Sequence, residues 1–118
     1  MSALGGILNF DGKPVDEQLL ITMGNALASN GPDDGNQYKN GSIGVVYRSF
    51  WTNRESRQEQ QPLVTDEGQI LAWDGRLDNR SELIASLRDE LFGRETDADL
   101  VMAAYRKWGV KFVSKLIG

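Results

Sequence analysis

The sequence predicts an α+β domain with a largely antiparallel sheet, and three observations lead there. Short runs rich in β-formers, at residues 3–10, 37–50 and 69–73, are each closed by turn residues. Helical apolar spacing occurs at 19–27, and twice more at 83–91 and 100–108. The resulting order, strand, helix, strands and then two helices, lacks the strict alternation of a parallel α/β chain.

Each element has a local cause. Residues 3–10 predict a strand, stopped by Asp11, Gly12, Lys13 and Pro14. Asp16 predicts an N-cap for a helix that places Leu19, Leu20, Met23, Ala26 and Leu27 on one face and runs to about Asn30. The run Gly31-Pro32-Asp33-Asp34-Gly35 breaks it. A hairpin is predicted over 37–50, with Lys39-Asn40-Gly41-Ser42 as its turn, because Asn-Gly tolerates positive φ at both centres. Residues 52–61 are polar and predict a solvated loop. Pro62-Leu63-Val64 resumes extended chain, and Asp66-Glu67-Gly68 turns it into a short strand ending at Trp73. Asn79 or Ser81 can cap the next helix, with Leu83, Ile84, Leu87 and Leu91 on its apolar side and Gly93 beyond its end. Thr96-Asp97-Ala98-Asp99 opens a third helix as a capping box, carrying Leu100, Val101, Ala104, Tyr105 and Trp108 and stopping at Gly109. A last amphipathic turn or two, 111–117, still carries Phe112, Val113, Leu116 and Ile117, which predicts a fragment of a longer protein.

Composition narrows the chemistry. The 118 residues carry 13 Lys and Arg against 17 Asp and Glu, a net charge of -4, with the basic residues scattered, which argues against a nucleic-acid surface. With no Cys there is no disulfide, thiolate metal site or thiol nucleophile, and with no His the commonest general base and zinc ligand are missing. No apolar run approaches the roughly 18 to 20 residues that span a bilayer, and the start lacks a basic signal region, so a cytoplasmic protein without a membrane partner is expected. Trp51, Trp73 and Trp108 read as core or sheet-edge aromatics, since no basic groove accompanies them.

The landmarks also stand in a familiar order. Met1-Ser2-Ala3-Leu4-Gly5-Gly6-Ile7, Asn30-Gly31-Pro32-Asp33-Asp34-Gly35, Gln61-Pro62-Leu63, Asp74-Gly75-Arg76-Leu77-Asp78-Asn79, Glu82-Leu83 and Thr96-Asp97-Ala98-Asp99-Leu100 resemble the N-terminal glutaminase domain of asparagine synthetases. The matching family patterns are M-C-G-I-A-G-I, R-G-P-D-x-x-G, Q-P-L, N-G-E-I-Y-N, E-L and S-D-T-E-V; each is weak alone. The resemblance covers essentially the whole chain. It implies an αββα N-terminal-nucleophile sandwich with mostly antiparallel sheets, here truncated, so that residues 1–118 are a single domain forming the N-terminal part of a glutaminase-like domain. It also implies a synthetase domain outside this chain, which would be its partner and would hold ATP and Mg; no cofactor is expected in residues 1–118, and a homo-oligomer is left open. Tyr47-Arg48-Ser49-Phe50, Glu55-Ser56-Arg57 and Trp73 to Arg80 look more like the divergent branch of β-lactam synthetases and lasso-peptide ring-closing enzymes. There the attacking amine comes from the substrate, and glutamine hydrolysis is not required.

The same resemblance supplies candidate site residues. Ser2 stands at the position of the nucleophilic cysteine, whose free α-amine serves as base in the family; a serine hydroxyl is a far weaker nucleophile than a partly ionised thiol. A retained Met1 would leave Ser2 without that amine. Asp74 and Gly75 stand where the family's asparagine side chain and glycine N–H donate to the tetrahedral oxyanion. An ionised Asp74 offers only acceptors and places negative charge where negative charge would develop. Arg76 replaces the motif's acidic residue. The family arginine that holds the glutamine α-carboxylate aligns with Tyr47, and a one-residue slip brings Arg48 there, on the opposite face of the strand. Asp97 matches the aspartate that holds the α-amine, beside the plainer reading of a first-turn acid favoured by the helix dipole.

Three readings follow. The leading one is a degenerate glutaminase-like domain with a structural and interface role in an ATP-dependent, amide-forming ligase. The second is a working enzyme, either a glutamine-hydrolysing amidotransferase or an N-terminal serine hydrolase using Ser2. The third is a ligand-binding module that holds an amino acid through Asp97 and Arg48.

Overall fold

The computed structural model describes residues 2–118, so Met1 and the expectation about its retention lie outside the described residues. Two compact units divide the chain between Asp74 and Gly75.

In the first unit, β1 (Ala3–Leu8), β2 (Asp34–Asn40) and β3 (Ile43–Ser49) form a sheet in the order β1-β3-β2, with both pairings antiparallel. Helix α1 (Glu17–Leu27) starts where Asp16 caps it, its carboxylate accepting from Gln18 N at 2.9 Å. Leu20 of α1, Val15 and Val46 of β3 form a buried core cluster, joined by the partly buried Ile7, Met23 and Leu27. Strand alternation follows from that contact: Val46 faces α1, so Tyr47 and Ser49 face the other side of the sheet. β1 is shorter than its sequence suggests, because Asn9 turns its amide to Lys13 O at 2.9 Å and Phe10 is left in solvent. The β2–β3 loop is one residue displaced from the predicted turn. Its centres are Gly41 and Ser42, since Asn40 pairs with Ile43, and positive φ falls on Gly41 rather than on an Asn-Gly pair. A single 3-10 turn, Glu55–Gln58, breaks the expected loop. β4 (Leu63–Val64) and β5 (Ile70–Leu71) then form a second, two-stranded antiparallel sheet, closed by a turn in which Gly68 N donates to Thr65 O.

In the second unit, α2 (Arg80–Leu91) buries Leu83, Leu87 and Leu91, and α3 (Asp97–Trp108) buries Ala98 and the run from Leu100 to Ala104. The capping box at α3 is complete: Thr96 Oγ1 accepts from Asp99 N and Asp99 reaches back to Thr96 N, each at 3.2 Å. Tyr105, expected on the apolar stripe, is exposed, while Met102 and Ala103 are buried in its place. The predicted cap of α2 behaves differently. Asn79 sits at the N-cap position, but its side chain donates to Lys115 O at 2.9 Å and accepts from Ile117 N at 3.1 Å, holding the end of the 3-10 segment Gly109–Lys115.

The architecture is thus α+β with antiparallel sheets, as the patterning predicts. Among the described residues no helix is long and apolar enough to cross a membrane.

Candidate functional site

Ser2 lies just ahead of β1, and its Oγ accepts a hydrogen bond from Phe50 N at 3.1 Å. Tyr47 is 6% exposed on the sheet face away from α1. Tyr47 Oη donates to Trp73 O at 3.1 Å and accepts from Gln61 Nε2 at 3.2 Å. Gln61, 3% exposed, also donates through Nε2 to Trp73 O at 2.9 Å, and its Oε1 accepts from Trp73 N at 2.5 Å. Burial of hydrogen-bonding groups this deep is tolerated because each has its partner. The network ties β3 to the chain after β5, and Gln61 enters it from one side of a cis peptide bond to Pro62.

Burial pushes the Tyr47 phenol above its ordinary value; the Ser2 hydrogen bond opposes this, while the charges of Glu59 and Asp74 add to it. Asp74 itself is exposed, the last residue of the first unit. Beside the network, β2 and the segment around the 3-10 turn border a cleft of about 480 Å³, lined by Asp34, Asn36, Gln37, Trp51, Arg57, Glu59, Gln60, Gln61 and Pro62. Its lining is amides and charges of both signs with one indole, suited to a small polar molecule rather than to an apolar one. Trp73 Nε1 and Gln69 Oε1 are buried without a partner among the described residues.

The predicted residues fall in both units, Ser2, Arg48 and Asp74 in the first and Gly75 and Asp97 in the second. Tyr47, the residue at the predicted arginine position, faces away from α1. Arg48 points the other way: its Nε donates to Gly31 O at 3.0 Å, and its guanidinium lies over Gly35. Gly31 is needed there, because a Cβ at that position would come within 2.2 Å of Arg48 O. In the second unit Asp97 forms an ion pair with Arg80, which also donates to Glu95 O at 2.6 Å. Arg76 pairs with Asp78 at 2.7 Å, both exposed, and Gly75 opens the unit. Among the described residues no group of three or more Cys, His, Asp or Glu could hold a metal ion.

Gln61, Glu59 and Arg57 were not singled out as site residues from the sequence. A signal for Gln61 existed in the Gln61-Pro62-Leu63 motif; Glu59 and Arg57 carried none, being charged residues in a polar loop.

A family model described as a glutamine amidotransferase domain matches residues 1–118. The chain is also 29% identical over 122 residues to asparagine synthetase (glutamine-hydrolyzing) 2 of Bacillus subtilis (strain 168), an alignment covering 100% of this chain and 16% of that protein.

Proposed function

Because the chain belongs to the glutamine amidotransferase domain family, we propose that it is a glutaminase-like domain without glutaminase activity, serving a structural and interface role in an asparagine-synthetase-like ligase. The observation that carries this reading is Asp74. A glutaminase needs donors aimed at the developing oxyanion, and losing one typically costs about 10²- to 10³-fold in rate. A carboxylate in that place reverses the sign and costs more. The site residues proposed on this reading are Ser2 at the nucleophile position and Asp74 with Gly75 at the oxyanion position, all inactive. The Arg80 ion pair supports the plainer role for Asp97, and the Gly31 bond does the same for Arg48.

The finer fold and branch belong to the same proposal. In the first unit α1 covers one face of the β1-β3-β2 sheet, and Tyr47 on the other face reaches the chain of the β4–β5 sheet, an order that fits one half of an αββα N-terminal-nucleophile sandwich. Residues 73–80 favour the divergent branch, in which an amine of the substrate replaces ammonia. Residues 1–118 would then be the first part of the domain in a cytoplasmic ligase, partnered by its own synthetase domain. The 16% share of the Bacillus subtilis protein supports a larger parent. ATP and Mg would belong to that synthetase domain; the sequence of residues 1–118 has no G-x-x-x-x-G-K-[ST] phosphate loop.

The test is direct. Incubated with glutamine, the purified chain releases ammonia at the buffer rate in a coupled assay. Release above that rate, abolished by Ser2→Ala, would overturn the proposal in favour of a working hydrolase.

A further inference from the structure

The stretch that opens at Gly75, proposed above for the oxyanion position, has little regular structure of its own. Residues 75–77 belong to no helix or strand, and Asp78 and Asn79 form the turn into α2. A second stretch of the same unit supplies partners. Asp78 N–H donates to Ile117 O at 2.6 Å. Asn79 closes the same contact through its side chain: Oδ1 accepts from Ile117 N at 3.1 Å, and Nδ2 donates to Lys115 O at 2.9 Å. Further along, the two chains nearly touch, since a Cβ at Gly118 would come within 1.9 Å of Arg76 O. Residues 115–118 thus run antiparallel along 76–79. Leu77 is buried and anchors its own side chain, whereas Val113 and Ile117 are 63% and 58% exposed. Hydrogen bonds rather than apolar burial hold residues 115–118, and contacts of that kind open locally before a core does.

We propose that residues 115–118 form a releasable strap that sets the backbone of Gly75–Asn79, with Asn79 as its clasp. The Asn79 side chain is available for this because it caps no N–H of α2. Docked, the strap orders the stretch that Gly75 opens; released, it leaves only Leu77 to hold that stretch. A ligand that prefers one of two states shifts the population toward it, so a partner that binds the released strap loosens the surface at Gly75. The proposal deepens the interface role above and rests on that reading for its biological sense.

Asn79→Ala removes both side-chain bonds but keeps the main-chain oxygen that accepts from Leu83 N, so α2 retains that bond. Amide exchange followed by NMR on the full chain reads the result at Asp78, whose N–H is not bonded to the Asn79 side chain. Exchange there should quicken by about tenfold or more, while amides in the middle of α2 and α3 keep their rates. An unchanged Asp78 amide overturns the proposal, because Leu77 then holds the stretch alone. Equal acceleration throughout the unit overturns it as well, since Asn79 is then a general stabiliser and not a clasp. Should Asn79→Ala fail to fold, Gly118→Ala probes the contact from its other side. The added methyl displaces the strap from Arg76 O with Asn79 intact, and the same split between Asp78 and the helices is expected. No change at Asp78 in that variant overturns the proposal. Ammonia release from glutamine would overturn the proposed function on its own, because exchange at Asp78 reports the strap and not the activity.

Discussion

At the scale of single residues, the decisive feature is that neighbours in sequence serve opposite faces. Tyr47 and Arg48 are adjacent, yet Tyr47 joins Gln61 and Trp73 while Arg48 bonds to Gly31 O on the α1 side. Alternation in β3 makes this legible in the sequence, and it disfavours the one-residue slip that would bring Arg48 to the Ser2 face. The partners of each side chain were not legible, because nothing local marks Gln61 as the residue that fixes Tyr47. The raised Tyr47 titration has a consequence for stability. Below about pH 10 both folded and unfolded chains keep the phenol proton, and its contribution is fully present. As pH rises further the unfolded chain loses the proton first, so stability falls until the folded phenol also titrates. Urea midpoints measured from about pH 9 to 11 should therefore decline, and Tyr47→Phe should flatten that part of the decline.

At the scale of elements, local chemistry predicts ends well and connections less well. The capping box at Thr96 forms as its sequence implies, because both partners lie within one helical turn. Removing it with Thr96→Ala should cost about 1 to 2 kcal/mol, read as a lower urea midpoint, while the far-UV helix signal persists. A loss indistinguishable from zero would mean that Asp99 and water satisfy the exposed N–H groups unaided. Asn79 shows the opposite case. Its residue type and position both suit a cap, but Lys115 O and Ile117 N compete for the same side chain and take it. The β2–β3 turn is a smaller displacement of the same kind: the register with β3 places Asn40 in the strand, and only Gly41 is left to supply positive φ.

At the scale of the whole molecule, the chain consists of two units, each with its own buried apolar residues: Val15, Leu20 and Val46 in the first, and Leu83, Leu87 and Leu100 among those of the second. Its 13 basic and 17 acidic residues give no field that would gather phosphates, so it should not retard duplex DNA in a gel at physiological salt; a shift at submicromolar protein would contradict that expectation. The sequence by itself determined the α+β class, the order of elements and most helix ends, since these depend on periodicity, capping and turn residues acting over a few positions, and its ordered motifs carried the resemblance to the family. Tertiary structure alone decided what Ser2 is bonded to. That network is made between residues 12 to 48 positions apart, and a hydrogen bond formed by chain folding leaves no periodic trace in the segments it joins.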